Sequence, residues 1–367
     1  MKYLFALLIL LHGAMHLLGF TSVFEGGVLL PPERTGSHPL PGLWLVAALF
    51  FFSVAVSYLR NNETWMAQAA IGILLSQTLI FFRWPEAKYG TLVNSVLLVA
   101  TVVGFAMWRF EMGYRRRATE LLAVNSAASG IVTREELEKL PELVRKYLLL
   151  AGVVGKPRPV SMRLTFEGQM REKGKAWFAF TSEQYNFFER PSRLFFMKAT
   201  IMGVPVYGYH RYDPPEVSMK IKLLGLLPLA KVKGKFLIQT ETVTFFNDLC
   251  MFAPAALLDG RISWEPLDES SVKAVFKNGE TSISATLHFD EKGKLINFSS
   301  NDRYEVSKMK ALPFTTPLGN YKDFQGYFLP GYGEAVWHYP EGEFVYGRFT
   351  LKELSYRNGA AAKPYRE

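Results

Sequence analysis

The chain has 367 residues, a length that accommodates two domains, and a formal net charge of +9. Apolar residues dominate positions 1–110, whereas the remainder has the composition of a soluble protein. Cys250 is the only cysteine, which excludes a disulfide framework, a zinc knuckle or a CxxC redox pair within one chain. Because the first third is so apolar, the excess positive charge favours an anionic membrane surface over nucleic acid as a partner.

Four segments of the first third are long and apolar enough to cross a hydrocarbon core about 30 Å thick as helices. Met1 and Lys2 before an apolar run are also typical of a secretory signal. No cleavage site of small residues stands out after this run, and further apolar segments follow it. We therefore predict an uncleaved first helix. The predicted spans are Leu4–Phe20, Leu43–Leu59, Met66–Phe82 and Leu92–Trp108.

Basic residues in short loops predict the orientation of these helices. With a cytoplasmic N-terminus, six basic residues lie inside and three lie outside. Four crossings return the chain to the side of its N-terminus. We therefore expect a multi-pass protein of the bacterial inner membrane with a cytoplasmic C-terminal domain. The inner residues are Lys2, Arg60, Arg109, Arg115, Arg116 and Arg117, and the outer residues are Arg34, Arg83 and Lys88.

His12 and His16 are four residues apart in the first predicted helix, so their imidazoles share one face. Two interpretations are open: a metal or haem site, and interhelical hydrogen bonding that fixes the packing. No carboxylate or third histidine lies at a matching depth, which favours packing, and we predict no cofactor. The candidate partners on the third and fourth helices are Gln68, Ser76, Gln77, Thr78, Asn94 and Ser95.

A polar, helical stretch joins the two halves of the chain. Residues 111–130 are predicted as a helical connector, and 133–151 as a helix that docks on the soluble domain. Thr133 and Glu136 have the spacing of a capping box, and Pro141 interrupts the helix. The predicted domains are 1–110 (transmembrane), 111–158 (connector), 159–358 (β-rich) and 359–367 (flexible tail).

From Pro159 the hydrophobic period changes to that of strands, with Met162, Leu164 and Phe166 alternating with polar residues. Short runs of this kind, separated by close turn signals, predict antiparallel pairing without helical crossovers. Further predicted strands are 176–183, 193–201, 206–212, 217–223, Lys231–Leu237, 262–267, 271–277, 282–290, 295–302, Tyr321–Tyr327, 333–339 and 344–356.

The segment Thr240–Leu258 breaks the strand pattern. Thr240 is a suitable N-cap residue for a helix, and apolar residues follow it at helical spacing. Pro254 predicts that the helix is kinked or divided in two. The only large surface available to cover this helix is the sheet. The predicted fold is therefore a membrane helix bundle followed by an α+β domain, in which a large curved antiparallel sheet or half-barrel carries one apolar helix across its concave face.

The sequence contains no Gly-rich phosphate loop, Gly-x-Ser-x-Gly elbow or His-Glu-x-x-His motif. His210, His288 and His338 are isolated in strands and are predicted to be structural. Polar residues on or beside apolar strands, which include Asp248, Asp302 and Glu334, are candidates for a cavity lining. The alternative is surface charge and strand-end salt bridges. The candidate cavity residues are Glu183, Gln184, Tyr185, Glu241, Phe246, Asn247, Leu249, Arg303 and Trp337.

Several stretches resemble an uncharacterised family of bacterial membrane proteins of unknown function, a resemblance that covers nearly the whole chain but implies no activity. More distantly, many strands with one Pro-containing apolar helix are similar to the half-barrels that carry lipoprotein acyl chains. Those carriers work outside the cytoplasm, whereas the basic residues here favour the inside. The family-like stretches are His12–His16, Ser76–Gln77, Trp84–Gly90, Leu140–Tyr147, Glu241–Leu258 and Asp302–Tyr304.

Three functions are consistent with this sequence. The first is a membrane-anchored binding protein whose β-rich domain holds a lipid or other hydrophobic ligand, since aromatic residues suit such a lining. The second is an enzyme that acts on a membrane-associated substrate with acid–base carboxylates such as Glu183 or Glu241. The third is an assembly or sensory protein without a ligand. Nucleic acid is not an expected partner, and the oligomeric state is open.

Overall fold

The computed structural model describes residues 2–21, 24–25, 28–29, 41–124 and 130–358. The chain divides into two compact units, Met1–Phe110 and Glu111–Glu367. The predictions made for the loop that contains Arg34, and for the tail 359–367, lie outside the described residues.

Four long helices in the first part of the chain confirm the predicted spans. Each is long and apolar enough to cross a membrane. Ile9, Phe51 and Ile73 belong to the core between the helices, while many leucines face outward. The helices are α1 (Lys2–Thr21), α2 (Pro41–Leu59), α3 (Trp65–Phe82) and α5 (Gly90–Val124), with a single turn α4 (Trp84–Ala87) and two short paired strands β1 (Phe24–Glu25) and β2 (Val28–Leu29).

The fourth span and the predicted connector are one continuous helix. Helix α5 runs 35 residues, and the boundary between the two units falls inside it. No proline interrupts the sequence where the composition changes from apolar to polar. Beyond that change, ion pairs between residues one turn apart stabilise the helix. Examples are Glu111 with Arg115 at 2.9 Å and Arg117 with Glu120 at 2.8 Å. The fourth apolar span and the connector predicted over 111–130 therefore share one helix, which ends at Val124.

Two short helices precede the sheet, where one had been predicted. Helix α6 (Arg134–Leu137) starts with the predicted capping box, in which the Glu136 carboxylate accepts a hydrogen bond from the Thr133 backbone N–H at 3.0 Å. Helix α7 (Glu142–Ala151) follows directly after Pro141 and ends at Gly152, whose φ of 72° suits a left-handed cap. Its buried Tyr147 donates a hydrogen bond to the Cys250 carbonyl at 2.8 Å, which docks α7 on the core of this unit.

A 13-stranded antiparallel sheet forms most of the second unit, as predicted. Its order is β8-β7-β6-β5-β4-β3-β17-β16-β15-β12-β11-β10-β9, and a separate hairpin joins β13 and β14. The strands are β3 (Pro159–Met170), β4 (Phe178–Phe187), β5 (Ser192–Ile201), β6 (Val204–Asp213), β7 (Glu216–Leu223), β8 (Leu227–Val232), β9 (Ile262–Pro266), β10 (Ser271–Asn278), β11 (Thr281–Phe289), β12 (Leu295–Ser300), β13 (Tyr304–Glu305), β14 (Lys310–Ala311), β15 (Phe314–Phe324), β16 (Tyr327–Tyr339) and β17 (Gly342–Asn358).

The sheet curls strongly around a buried helix. Strands β6 and β10 have eight strands between them in the sheet order, yet Asn278 of β10 donates a hydrogen bond to the Tyr212 hydroxyl of β6 at 2.6 Å. The same hydroxyl is 2.9 Å from the Thr242 hydroxyl of helix α8 (Lys235–Phe252). A flat sheet would hold β6 and β10 tens of ångströms apart, at nearly 5 Å per strand. The two ends of the sheet therefore meet across α8.

Helix α8 begins earlier than the sequence predicted. The predicted strand Lys231–Leu237 is wrong at its end, because β8 stops at Val232 and the helix starts at Lys235. Gly234, with φ of 127°, makes the turn between them. The Thr240 hydroxyl does not cap the helix but accepts a hydrogen bond from the Tyr304 backbone N–H at 3.1 Å. Pro254 divides the segment as predicted, and a 3₁₀ turn, Pro254–Leu258, follows.

A tight hairpin turn divides the predicted strand Tyr321–Tyr327 between two strands. Strand β15 ends at Phe324 and β16 begins at Tyr327. Gln325 and Gly326 between them have φ of 56° and 84°. A two-residue hairpin turn of type I′ requires positive φ at both of these positions. The aromatic residues on either side gave this stretch the composition of a strand and concealed its turn.

Candidate functional site

A cavity of about 810 Å³ lies between helix α8 and the concave face of the sheet. Residues of α8 form one side, and residues of strands β3–β8 and β15–β17 form the rest. The turn before β4 and the hairpin of β13 and β14 contribute Lys173 and Lys308, both exposed. Its volume falls within the range of about 300–1,000 Å³ that is typical of small-molecule sites.

Most of the cavity wall is apolar. The rings include Phe166, which lies 5.6 Å from the ring of Phe252 on α8, and Phe314, 5.2 Å from Trp337. Apolar side chains of this kind have little to gain from contact with water. The apolar wall comprises Phe166, Met170, Phe195, Met219, Val232, Leu237, Met251, Phe252, Phe314, Trp337, Phe344, Phe349 and Leu351.

A buried ionic network forms the polar part of the lining. The Arg193 guanidinium on β5 donates to the Asp248 carboxylate at 2.7 Å and to Glu241 at 3.3 Å, both on α8. Gln184 on β4 accepts from Arg193 at 2.9 Å and donates to Asp248 at 2.8 Å. Side chains of Arg193, Glu241 and Asp248 are less than a tenth exposed. Removing one partner of such a buried pair leaves an uncompensated charge.

The two carboxylates of this network have opposite pKa shifts. Burial by itself raises the pKa of Glu241, but the hydrogen bond from His210 Nδ1 at 3.0 Å and the nearby positive charges outweigh it and lower the pKa to about 2. Burial also raises the pKa of Asp248, and there the donors Arg193, Asn186 and Gln184 only partly offset it. Glu241 is therefore firmly ionised, and His210, partly exposed beside it, lines the cavity.

Two polar atoms of the lining are buried without a hydrogen-bond partner in the described part of the chain. They are Asn247 Oδ1 and Arg303 Nε. The Asn247 amide nitrogen donates to the Thr316 hydroxyl at 2.8 Å, which fixes the amide beside β15. Buried polar groups in proteins are nearly always paired, so such atoms in a cavity wall are available for hydrogen bonds to a bound molecule.

The structure brings five of the predicted site residues together in this cavity and places four elsewhere. Glu183 and Tyr185 alternate with Gln184 along β4 and face the other side of the sheet, where Glu183 accepts from Arg163 at 2.6 Å. Phe246 and Leu249 also lie outside the cavity lining, in the core on the opposite side of α8. The five that line the cavity are Gln184, Glu241, Asn247, Arg303 and Trp337.

Sequence reasoning missed Arg193 and His210 as site residues, whereas Asp248 was among the polar residues considered for a cavity lining. Helical spacing contained a signal for Asp248, because the polar positions of α8 recur every three or four residues on an otherwise apolar helix. Arg193 had a weaker signal, a charged residue in the apolar run of β5. His210 lies in a strand whose lining residues only the three-dimensional structure identifies.

His12 and His16 form a hydrogen-bonded network within the first unit. His12 Nε2 lies 2.8 Å from Asn94 Oδ1, and His16 Nε2 lies 2.9 Å from the Ser76 hydroxyl. Asn94 also donates to Gln77 at 3.0 Å. Both nitrogens of His16 are engaged, since Nδ1 contacts the His12 carbonyl at 2.8 Å. Ser76 and Asn94 are thus the side-chain partners of the histidines, and Gln77 is bonded to Asn94. Thr78 and Ser95 bond to their own helix backbones.

No curated protein matches this sequence. Among solved structures, a LolA superfamily protein from Nitrosomonas europaea is similar over 62% of this chain and 94% of its own, with 11% identity and a TM-score of 0.26. A beta-barrel-like protein of domain of unknown function DUF1849 from Brucella abortus is similar over 55% and 100%, with 9% identity and a TM-score of 0.17. The profile of one family matches residues 130–349, so the chain belongs to the family of unknown function DUF6544.

Proposed function

We propose that the second unit binds a lipid or other hydrophobic ligand that carries a polar group. The observation that carries this proposal is a single cavity with both an aromatic wall and a buried polar network. An apolar wall with a few fixed polar groups is the usual lining of a small-molecule site. The wall accommodates the apolar part of the ligand, and the unpartnered atoms of Asn247 and Arg303 accommodate its polar part.

We propose that α1, α2, α3 and α5 anchor this protein in the bacterial inner membrane. Leu4, Leu74 and Leu92 are each about 70% exposed on the helices, as lipid-facing residues would be. Lys2 Nζ donates to the Leu59 carbonyl at 2.9 Å, so the start of α1 and the end of α2 lie at the same end of the bundle. Two crossings therefore return the chain to its starting side, and the basic residues favour the cytoplasm for that side.

Native mass spectrometry of the full chain in detergent tests the binding function, with Thr244→Phe and Thr181→Phe as a matched pair. Thr244 lines the cavity, whereas Thr181 is exposed on the other face of the sheet. We expect a co-purifying ligand mass on the wild type and on Thr181→Phe, and its loss from Thr244→Phe. Equal ligand content in the two variants would contradict the assignment of the cavity, and a ligand-free wild type would favour an assembly or sensory role.

An enzymatic function is the second candidate, favoured by the His210–Glu241 pair. A carboxylate bonded to Nδ1 orients an imidazole so that Nε2 can accept a proton, an arrangement that general bases use. Of the two carboxylates predicted for this chemistry, Glu241 is in the cavity and Glu183 is not. Incubation with extracted bacterial lipids tests this candidate: conversion by the wild type but not by His210→Gln would support it, and no conversion by either would reject it.

A further inference from the structure

The Arg303 side chain lies against an aromatic surface inside the cavity. Its guanidinium carbon is 4.1 Å from the ring centre of Phe314, 5.0 Å from that of Trp337 and 5.8 Å from that of Tyr346. One guanidinium nitrogen, Nη1, donates to the Tyr346 hydroxyl at 2.7 Å. Stacking on rings stabilises a guanidinium and fixes its plane, but it leaves the donors at the edge available.

Three arginines line the cavity, and they differ in their charge balance. Arg171 donates from its Nε to the Val345 carbonyl at 2.9 Å. Arg193 is bonded to two carboxylates, Asp248 and Glu241. No carboxylate of the described residues lies within 4.0 Å of an Arg303 nitrogen, and its buried Nε has no hydrogen-bond partner among them. Glu241 does act on Arg303 electrostatically, but from beyond contact distance. Arg303 is therefore a positioned cation that has no ion-pair partner among the described residues and that lies against aromatic rings of the wall.

The second unpartnered atom, Asn247 Oδ1, belongs to a side chain that contacts the same strand as this cation. The Asn247 amide is bonded to Thr316, and the Arg303 guanidinium stacks on Phe314. Phe314 and Thr316 are alternate residues of β15 and so face the same side of the sheet, about 7 Å apart along the strand. The acceptor and the cation are thus held against side chains on the same face of β15, near the polar network of α8.

We propose that the ligand is an anionic amphiphile whose carboxylate or phosphate binds the Arg303 guanidinium, while Asn247 Oδ1 accepts a hydrogen bond from a neighbouring hydroxyl or N–H group. This inference rests on the proposed binding function and adds the charge class of the ligand. A guanidinium presents a planar fork of donors that matches the oxygens of either anion. The aromatic wall beside Arg303 continues as the surface for the ligand's apolar chain.

Direct binding to the delipidated full-length protein in detergent tests this assignment. The charged probes are oleate and oleoyl lysophosphatidate, and the neutral probes of the same chain length are methyl oleate and monooleoylglycerol. We expect Arg303→Met to weaken binding of a charged probe about 10- to 100-fold, the range for a lost hydrogen bond to a charged group, and of the neutral probes less than about twofold. A larger loss for oleate indicates a fatty acid, and a larger loss for lysophosphatidate indicates a phospholipid.

Arg348→Met is the matched control, because Arg348 also stacks on a ring, 4.7 Å from the centre of Trp177, but does not line the cavity. It should bind all four probes as the wild type does. Arg303→Lys keeps the charge and should lose less affinity for the charged probes than Arg303→Met. Equal losses for charged and neutral probes, or no loss for either charged probe, would overturn the inference alone. A wild type that binds none of the four would instead overturn the binding function.

Discussion

Helix α8 carries two phenylalanines that should respond differently to removal of a bound lipid. Phe246 is fully buried in the core and stacks on Phe276, with ring centres 5.2 Å apart and planes within 7°. Phe252 is 7% exposed and lines the cavity. Truncation of a buried phenylalanine to alanine costs about 3–5 kcal/mol, of which part is the cavity that remains. A mobile acyl chain can fill the space vacated at Phe252 but cannot reach the space vacated at Phe246.

The measurement is urea unfolding of the full chain in detergent, followed by the circular dichroism of the sheet, before and after lipid extraction. We expect Phe246→Ala to lose about 3–5 kcal/mol in both preparations. Phe252→Ala should lose clearly less with lipid present, and its loss should rise toward the same range after extraction. If both variants lost the same free energy with and without lipid, Phe252 would lie in a solid core and the reasoning would be refuted.

Three further predictions concern the network, the bundle and the topology. Because the folded-state pKa of Glu241, about 2, lies below the usual 4.5, its ionised form stabilises the fold above about pH 4.5, and this contribution disappears as the pH falls toward 2. Glu241→Gln should thus cost about 3–5 kcal/mol at pH 7 and less at pH 3, measured by urea unfolding; an equal cost at both would contradict the shift. The double change of His12 and His16 to Gln should cost about 1–2 kcal/mol of bundle stability and leave metal and haem content unchanged, and a lost Soret absorbance would contradict this. A reporter active only outside the cytoplasm should be silent when fused after Glu367 and active near Ser37, and the reverse pair would place the β-rich unit outside.

Features with a local cause were predictable from the sequence. The four apolar spans depend on composition over about 20 residues, and the capping box depends on Thr133 and Glu136 alone. The hairpin at Gln325–Gly326 was missed because its flanking aromatic residues have strong strand propensity, which outweighed one glycine. The start of α8 was missed because the Thr240 hydroxyl binds the Tyr304 backbone instead of capping the helix, and Tyr304 is 64 residues away.

The candidate site depended on contacts that no local pattern contains. Arg193 bonds to Asp248, which is 55 residues later in the chain, and a charged residue in an apolar strand does not by itself reveal such a partner. Along β4, successive side chains face opposite sides of the sheet. Gln184 faces the cavity, whereas Glu183 and Tyr185 face the other side. The sequence gives this alternation, but it does not say which of the two faces is concave.

The spacing of residues along helix α8 defines much of the candidate site once the burial of each residue is known. At about 100° per residue, the cavity-lining positions Glu241, Thr244, Asn247, Asp248 and Met251 share an arc of about 120°, with Phe246 and Leu249 outside it. A helix buried on nearly all sides cannot place a polar stripe in water, so the stripe requires polar partners. Arg193, Gln184 and His210 supply them for the two carboxylates. Asn247 Oδ1 alone in that stripe is buried without one among the described residues, and it lies next to the part of the wall that holds Arg303. The polar contacts expected of a ligand therefore fall where the internal network ends.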